Sequence, residues 1–123
     1  MIEPPQSHGY RHIPRSEVKT SLASHNAHVE KQVLVAGGVI PGLQQFASAE
    51  LRAGVVIEPH RHATMTEVFH LLEGHLLARC AETEFQLAGG DSLVVNAGTE
   101  HSFQAWADTR IIYFGLQSQT HPT

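Results

Sequence analysis

The chain of 123 residues has the length of one domain, and its single cysteine excludes an internal disulfide. A net charge of −4, with eight scattered lysines and arginines, argues against nucleic acid or an anionic membrane as a partner. No apolar run approaches the roughly 20 residues that span a bilayer, and the first residues lack the features of a signal peptide, so a cytoplasmic location is predicted. Ten histidines direct attention to metal ligands.

Residues 1–30 contain three of the six prolines and no sustained hydrophobic period, which predicts an N-terminal arm. From Lys31 onward, short apolar or alternating runs of strand length follow one another, so residues 31–123 are predicted to form the folded domain. The runs are Gln32–Ala36, Leu43–Leu51, Val55–Ile57, Val68–Leu72, Leu76–Cys80, Phe85–Leu87, Ser92–Val95, Ser102–Trp106 and Arg110–Leu116.

Turn-forming residues separate these runs at the intervals that are typical of a sandwich or barrel, and the sequence therefore predicts an all-β fold. The main alternative is a helix over residues 47–52. Gly54 would end that helix early, and the β-branched run Val55–Ile57 beyond it favours a strand.

His60 and His62 are two residues apart, so an extended chain would place both imidazoles on one face, about 6.5 Å apart along the backbone. In a helix they would diverge by about 200°. Glu67 would face away from them if one strand continued unbroken. We therefore expect the polar link at residues 63–66 to turn the chain and return the carboxylate from the start of the next strand.

His101 follows the turn Asn96-Ala97-Gly98 and opens a further strand, so it is a candidate fourth ligand. Three neutral imidazoles and one carboxylate suit a divalent transition metal such as Fe, Mn, Ni, Cu or Zn better than Ca or Mg. Any one of these histidines alone would more often be structural. Their joint spacing favours a metal site.

The segment Gly54-x5-His60-x-His62-x4-Glu67-x6-Gly74 resembles the first conserved motif of the cupin superfamily at every defining position. The second cupin motif, Gly-x5-Pro-x-Gly-x2-His-x3-Asn, is matched from Gly90 with two departures. Asn96 stands in place of the proline and Ala105 in place of the final asparagine, whereas Gly98 and His101 are kept.

The resemblance implies a single-domain jelly-roll β-barrel of six to eight strands, with one metal ion held by His60, His62, Glu67 and His101. It also implies a homodimer that uses the N-terminal segment. Small cupins with all four ligands include dioxygenases, isomerases and lyases that act on small organic molecules, so such an enzyme is the first functional hypothesis. The alternative is a module that binds a metal or small molecule as a sensor or carrier, because jelly rolls host both classes.

Strand parity places Phe69 on the same face as Glu67, and Phe103 on the same face as His101, so these aromatic side chains should line the pocket beside the metal. Tyr113 and Gln45 are weaker candidates for substrate contacts. Each of these two could equally be plain core packing. Arg52 could pair with a substrate carboxylate, although an ordinary exposed arginine is the commoner case.

Three further groups have simpler interpretations. His25 and His28 could form a second metal clip, but a solvated arm is the stronger hypothesis. His70 has the opposite parity to Glu67 and should point away from the metal. Cys80 ends an apolar strand and is expected to be a small core residue rather than a nucleophile.

Overall fold

The computed structural model describes residues 9–23 and 26–118, and of residues 26–28 it describes the backbone alone. This part of the chain forms ten strands and one 3₁₀ turn, Arg15–Glu17. The strands are β1 (Lys19–Ala23), β2 (Asn26–Val35), β3 (Leu43–Leu51), β4 (Val56–His60), β5 (Met65–Glu73), β6 (His75–Cys80), β7 (Thr83–Ala88), β8 (Ser92–Val95), β9 (His101–Ala105) and β10 (Thr109–Gln117).

The strands form two antiparallel sheets. The larger sheet has the order β1-β2-β3-β10-β5-β8, and the smaller has the order β4-β9-β6-β7. Alternate side chains are buried along β5 and β10, as expected for strands with one face toward a core. That core draws on both sheets, with Ala47, Leu71 and Ala78 fully buried. The all-β jelly-roll prediction is confirmed.

Every strand predicted from Leu43 onward is present, with ends that differ by at most a few residues. The region predicted as a helix alternative, residues 47–52, lies in and just after β3 instead. The number of strands in the described residues exceeds the expected six to eight. The excess comes from the N-terminal side, where a hairpin extends the larger sheet.

The segment predicted as an arm, residues 1–30, contains β1 and the first half of β2. β1 pairs with β2 over residues 26–33, and β2 pairs with β3 through residues 31–35. Val29 is only 3% exposed and belongs to the core. Almost all of β1 is exposed, so its sequence carries no apolar alternation that would predict a strand. The division of the chain at residue 30 stays a prediction, but residues 19–23 and 26–30 are part of the sheet.

No helix in the described ranges is long and apolar enough to cross a membrane.

Candidate metal centre

Two loops at one end of the barrel bring the candidate ligands together. β4 ends at His60, the chain turns over residues 61–64, and β5 then presents Glu67 as its third residue. β9 opens with His101, which is paired in register with His60 on the neighbouring strand. His62 lies in the loop rather than on the strand that its spacing suggested, yet its ring centroid is 5.1 Å from that of His60.

The loop before β9 forms the turn that its sequence predicts. The amide of Thr99 donates to the carbonyl of Asn96 at 3.1 Å, and Gly98 has φ +84°, the left-handed conformation that favours glycine at this turn position. The Gly98 amide donates to the carbonyl of His62 at 2.7 Å, which ties this turn to the loop of the first motif. Asparagine in place of the family's proline is therefore compatible with the turn.

The four side chains converge on one point. A ligand atom from each of His60, His62, Glu67 and His101 lies within 4.8 Å of the other three, so the group could hold a metal ion. Oε1 of Glu67 is 3.2 Å from Nε2 of His62 and 3.2 Å from Nε2 of His101. Ligands bound to one ion at about 2.1 Å lie about 3–4 Å apart, so the cluster is close to coordinating dimensions.

Backbone carbonyls orient two of the imidazoles. Nδ1 of His60 donates to the carbonyl of Glu58 at 2.8 Å, and Nδ1 of His101 donates to that of Thr99 at 3.0 Å. Because a carbonyl can only accept, each Nδ1 carries a proton, so each ring in its neutral form directs the lone pair of Nε2 into the cluster. This second hydrogen bond is the usual way in which a metal-binding histidine is held in one tautomer.

Two buried atoms of the cluster need a proton or metal ion between them. Oε1 of Glu67 and Nε2 of His101 are buried and have no hydrogen-bond partner of good geometry, although they lie 3.2 Å apart. With His101 neutral, both atoms are acceptors that face each other, an arrangement that costs free energy unless a proton or metal ion lies between them. Burial lowers the pKa of His101, but the Glu67 carboxylate, to which Nε2 can donate once His101 is protonated, and the Thr99 carbonyl together raise it above its ordinary value.

The donor set fits a borderline divalent transition metal, since three imidazoles and one carboxylate are the ligands that such ions prefer. Four protein ligands would leave positions open on an ion that takes six. The identity of the metal, whether Fe, Mn, Ni, Zn or Cu, stays a prediction.

Aromatic side chains form one wall beside the cluster. The ring of Phe69 is 6.0 Å from that of His101, packs edge-to-face on Phe103 at 5.1 Å and stacks on Tyr113 at 5.7 Å. Burial, followed by the charge of Glu67, raises the pKa of Tyr113 to about 12, so its phenol stays protonated near neutral pH. The result is a largely apolar, water-poor surface next to the ligand atoms.

A cavity of about 100 Å³ adjoins the ligands, and all four residues predicted for the pocket line it: Phe69, Phe103, Tyr113 and Gln45. Lys31, which was not predicted from the sequence, also lines it. Alternation continued backward from Val33 along β2 would have placed Lys31 on the inner face. That signal was lost because the predicted strand began one residue later.

Other singled-out residues lie elsewhere. His70 faces away from the cluster, as predicted, and its Nδ1 is 2.8 Å from the Ser92 hydroxyl. Arg52 is exposed and does not line the cavity beside the ligands. Burial raises the pKa of the Cys80 thiol, which accords with an unreactive core residue. The proposed clip of His25 and the side chain of His28 lies outside the described residues.

Comparisons with known proteins agree with this architecture. The family model described as "Cupin domain" matches residues 48–114, just over half of the chain and the part that carries all four ligands. No curated protein gives a significant match.

Three solved structures illustrate the likeness. A predicted oxalate decarboxylase from Thermotoga maritima has a TM-score of 0.75 at 19% identity, with 85% of this chain and 97% of that chain covered. An RmlC-like cupin from Shewanella frigidimarina has a TM-score of 0.71 at 16% identity, with 87% and 90% covered. KdgF from Halomonas sp. has a TM-score of 0.68 at 17% identity, with 85% and 93% covered. These identities speak for the fold alone, whereas the family model that matches residues 48–114 shows that the chain belongs to the cupin family.

Proposed function

We propose that the protein is a metal-dependent enzyme that acts on a small organic molecule, in the class of dioxygenases, isomerases or lyases. The observation that carries the proposal is the buried carboxylate oxygen of Glu67, held 3.2 Å from the Nε2 atoms of both His62 and His101. A purely structural barrel has no physical need for the buried acceptors of Glu67 and His101 to face each other, because no hydrogen bond offsets the desolvation of these two atoms. A divalent cation among them would offset it.

When bound, such an ion supplies a Lewis acid or, if redox-active, a centre that activates dioxygen. The chain's own residues prepare its surroundings. The carbonyls of Glu58 and Thr99 hold His60 and His101 in the tautomer that presents Nε2. Phe69 and Phe103 line the adjoining cavity with apolar surface, and a bound substrate that displaces water from it would experience stronger electrostatic interactions.

The experiment that tests this function is anaerobic reconstitution with Fe(II), Mn(II), Ni(II) or Zn(II), followed by a screen of small carbonyl and phenolic compounds with and without dioxygen. Turnover with oxygen uptake, and only with a redox metal, would identify a dioxygenase. Turnover without oxygen would identify an isomerase or lyase. Compounds that bind tightly but are converted with none of the metals would replace the proposal with a non-catalytic binding or sensor module.

Two further expectations belong to this proposal. We expect the protein to work as a homodimer and in the cytoplasm, as the sequence analysis predicts.

A further inference from the structure

A lysine ammonium enters the cavity beside the metal ligands. Lys31 lines this cavity and is half-buried, and its Nζ donates to Oε1 of Gln45 at 3.1 Å. Within residues 9–23 and 26–118, no carboxylate lies within 4.0 Å of this ammonium. A cationic group in a mostly apolar cavity is costly unless an anion or water offsets its charge. The other lysine, Lys19, is exposed and does not line the cavity.

The strand register places the ammonium at the level of the metal ligands. Lys31 pairs with Ala49, but its Nζ reaches Gln45, four residues away on β3, so the side chain runs along that strand. Ala47, the inward residue between them, is small enough to leave room for this path.

Gln45 and Glu67 then occupy one row of the sheet, since each is the register partner of Gly115. Two strand spacings separate their backbones, which is about 10 Å. The central residue of that row has no side chain, and the flexible side chain of Met65 packs over it. The ammonium and the ligand cluster thus face the same cavity from opposite sides.

We propose that Lys31, supported by Gln45, binds the carboxylate of the substrate, and that the substrate is a short organic acid whose reacting polar group lies on the metal side. This inference rests on the proposed metal-dependent function. Because the ammonium and the ligand cluster face one cavity, an acid that carries a second polar group can contact both at once.

The size and charge of the cavity agree with this class of substrate. A cavity of about 150 Å³ holds benzene, so about 100 Å³ admits a molecule of only a few carbon atoms. A divalent ion bound by the Glu67 carboxylate leaves a net charge of +1, and the Lys31 ammonium raises the net charge around the cavity to +2. Such a site favours an anion over a neutral compound of the same shape.

The test uses binding rather than turnover. The probes are pyruvate, 4-oxopentanoate and 5-oxohexanoate, each compared with its neutral amide by calorimetry on the zinc-loaded protein. We expect the acids to bind more tightly than their amides, and Lys31→Met to weaken binding of the acids about tenfold to a hundredfold, the usual contribution of a hydrogen bond to a charged group. Binding of the amides should be unchanged, and Lys31→Arg should keep most of the preference for the acid. Lys19→Met removes the same charge elsewhere and should have no effect.

Failure of this inference is distinguishable from failure of the proposed function. Elemental analysis of the same samples reports the bound metal, which Lys31→Met should leave at the wild-type level. Equal affinity of wild type and Lys31→Met for every acid, or no saturable binding of any acid, would overturn the role of Lys31 while leaving the metal centre intact. Chemical-shift perturbation of 4-oxopentanoate by the metal-free protein gives a readout that does not depend on the ion, and it should also decrease in Lys31→Met.

Discussion

Replacement of Glu67 by glutamine should have opposite effects on the metal-free and metal-bound protein. The side chain keeps its shape, but one carboxylate oxygen becomes an NH₂ group. In the wild type, Oε1 is buried, lacks a well-formed hydrogen bond and lies 3.2 Å from two imidazole nitrogens. In the Glu67→Gln variant the amide can donate to those nitrogens, but it is a much poorer metal ligand.

The magnitude for the metal-free protein follows from that unsatisfied acceptor. A hydrogen-bond partner for one buried unpaired polar atom increases the free energy of unfolding by about 1–2 kcal/mol, which for a chain of this length raises Tm by about 3–10 °C. The gain should depend on pH. The pKa of His101 is raised above its ordinary value of 6.5, so protonation of His101 stabilises the wild type. This stabilisation is fully present at pH values below 6.5 and is lost as the pH rises through the raised pKa. The metal-free Glu67→Gln variant should therefore have a higher Tm than the metal-free wild type at alkaline pH.

Bound metal should make the wild type more stable than Glu67→Gln. At a free metal concentration a thousand times the Kd, binding stabilises the wild type by about 4 kcal/mol, or about 10–20 °C in Tm. Glu67→Gln should show little of this increase, because the anionic ligand is gone.

Calorimetric melting curves with chelator and with added Zn(II), recorded at several pH values, measure both effects. Glu58→Gln is the matched control, since it removes the same charge from an exposed side chain next to His60. It should leave the metal-induced rise in Tm intact. The reasoning is refuted if Glu67→Gln retains the full rise, or if it destabilises the metal-free protein at alkaline pH.

Three other outcomes are expected. Gly115→Ala should change the free energy of unfolding by less than about 1 kcal/mol in chemical denaturation, because its Cβ would meet only the flexible side chain of Met65, whereas a larger loss would show that Met65 cannot move aside. The Cys80 thiol should react with iodoacetamide at pH 8 more slowly than free cysteine, since burial raises its pKa, and equal rates would contradict its placement. Light scattering should give about twice the 13.5 kDa chain mass, and the mass of one chain would remove the homodimer from the proposal.

The sequence predicted the barrel well where buried side chains alternate with exposed ones. Strands such as β5 and β10 carry that alternation, so their positions follow from the pattern alone. β1 does not, because nearly all of its side chains are exposed and it is held by pairing with β2. Edge hairpins of this kind depend on pairing with a strand that is distant in sequence, and the local sequence pattern does not indicate which strand that is.

The ligand set was predictable for a different reason, since the spacing of His60, His62, Glu67 and His101 matches a known pair of motifs. Their convergence nevertheless depends on turns and register, such as the contact between Gly98 and the carbonyl of His62. Lys31 shows where prediction ended. The alternation along β2 assigns Lys31 to the inner face only once the start of that strand is known, and a lysine is usually solvated.

The most direct test of the account is the metal content of single variants. Wild type, His101→Ala and His70→Ala are reconstituted with Fe(II) or Zn(II), passed through gel filtration and subjected to elemental analysis. His70 serves as the control because its ring bonds Ser92 outside the cluster. The account predicts one ion per chain in wild type and His70→Ala, and a large loss in His101→Ala. Full occupancy in His101→Ala, or none in the wild type, would contradict it.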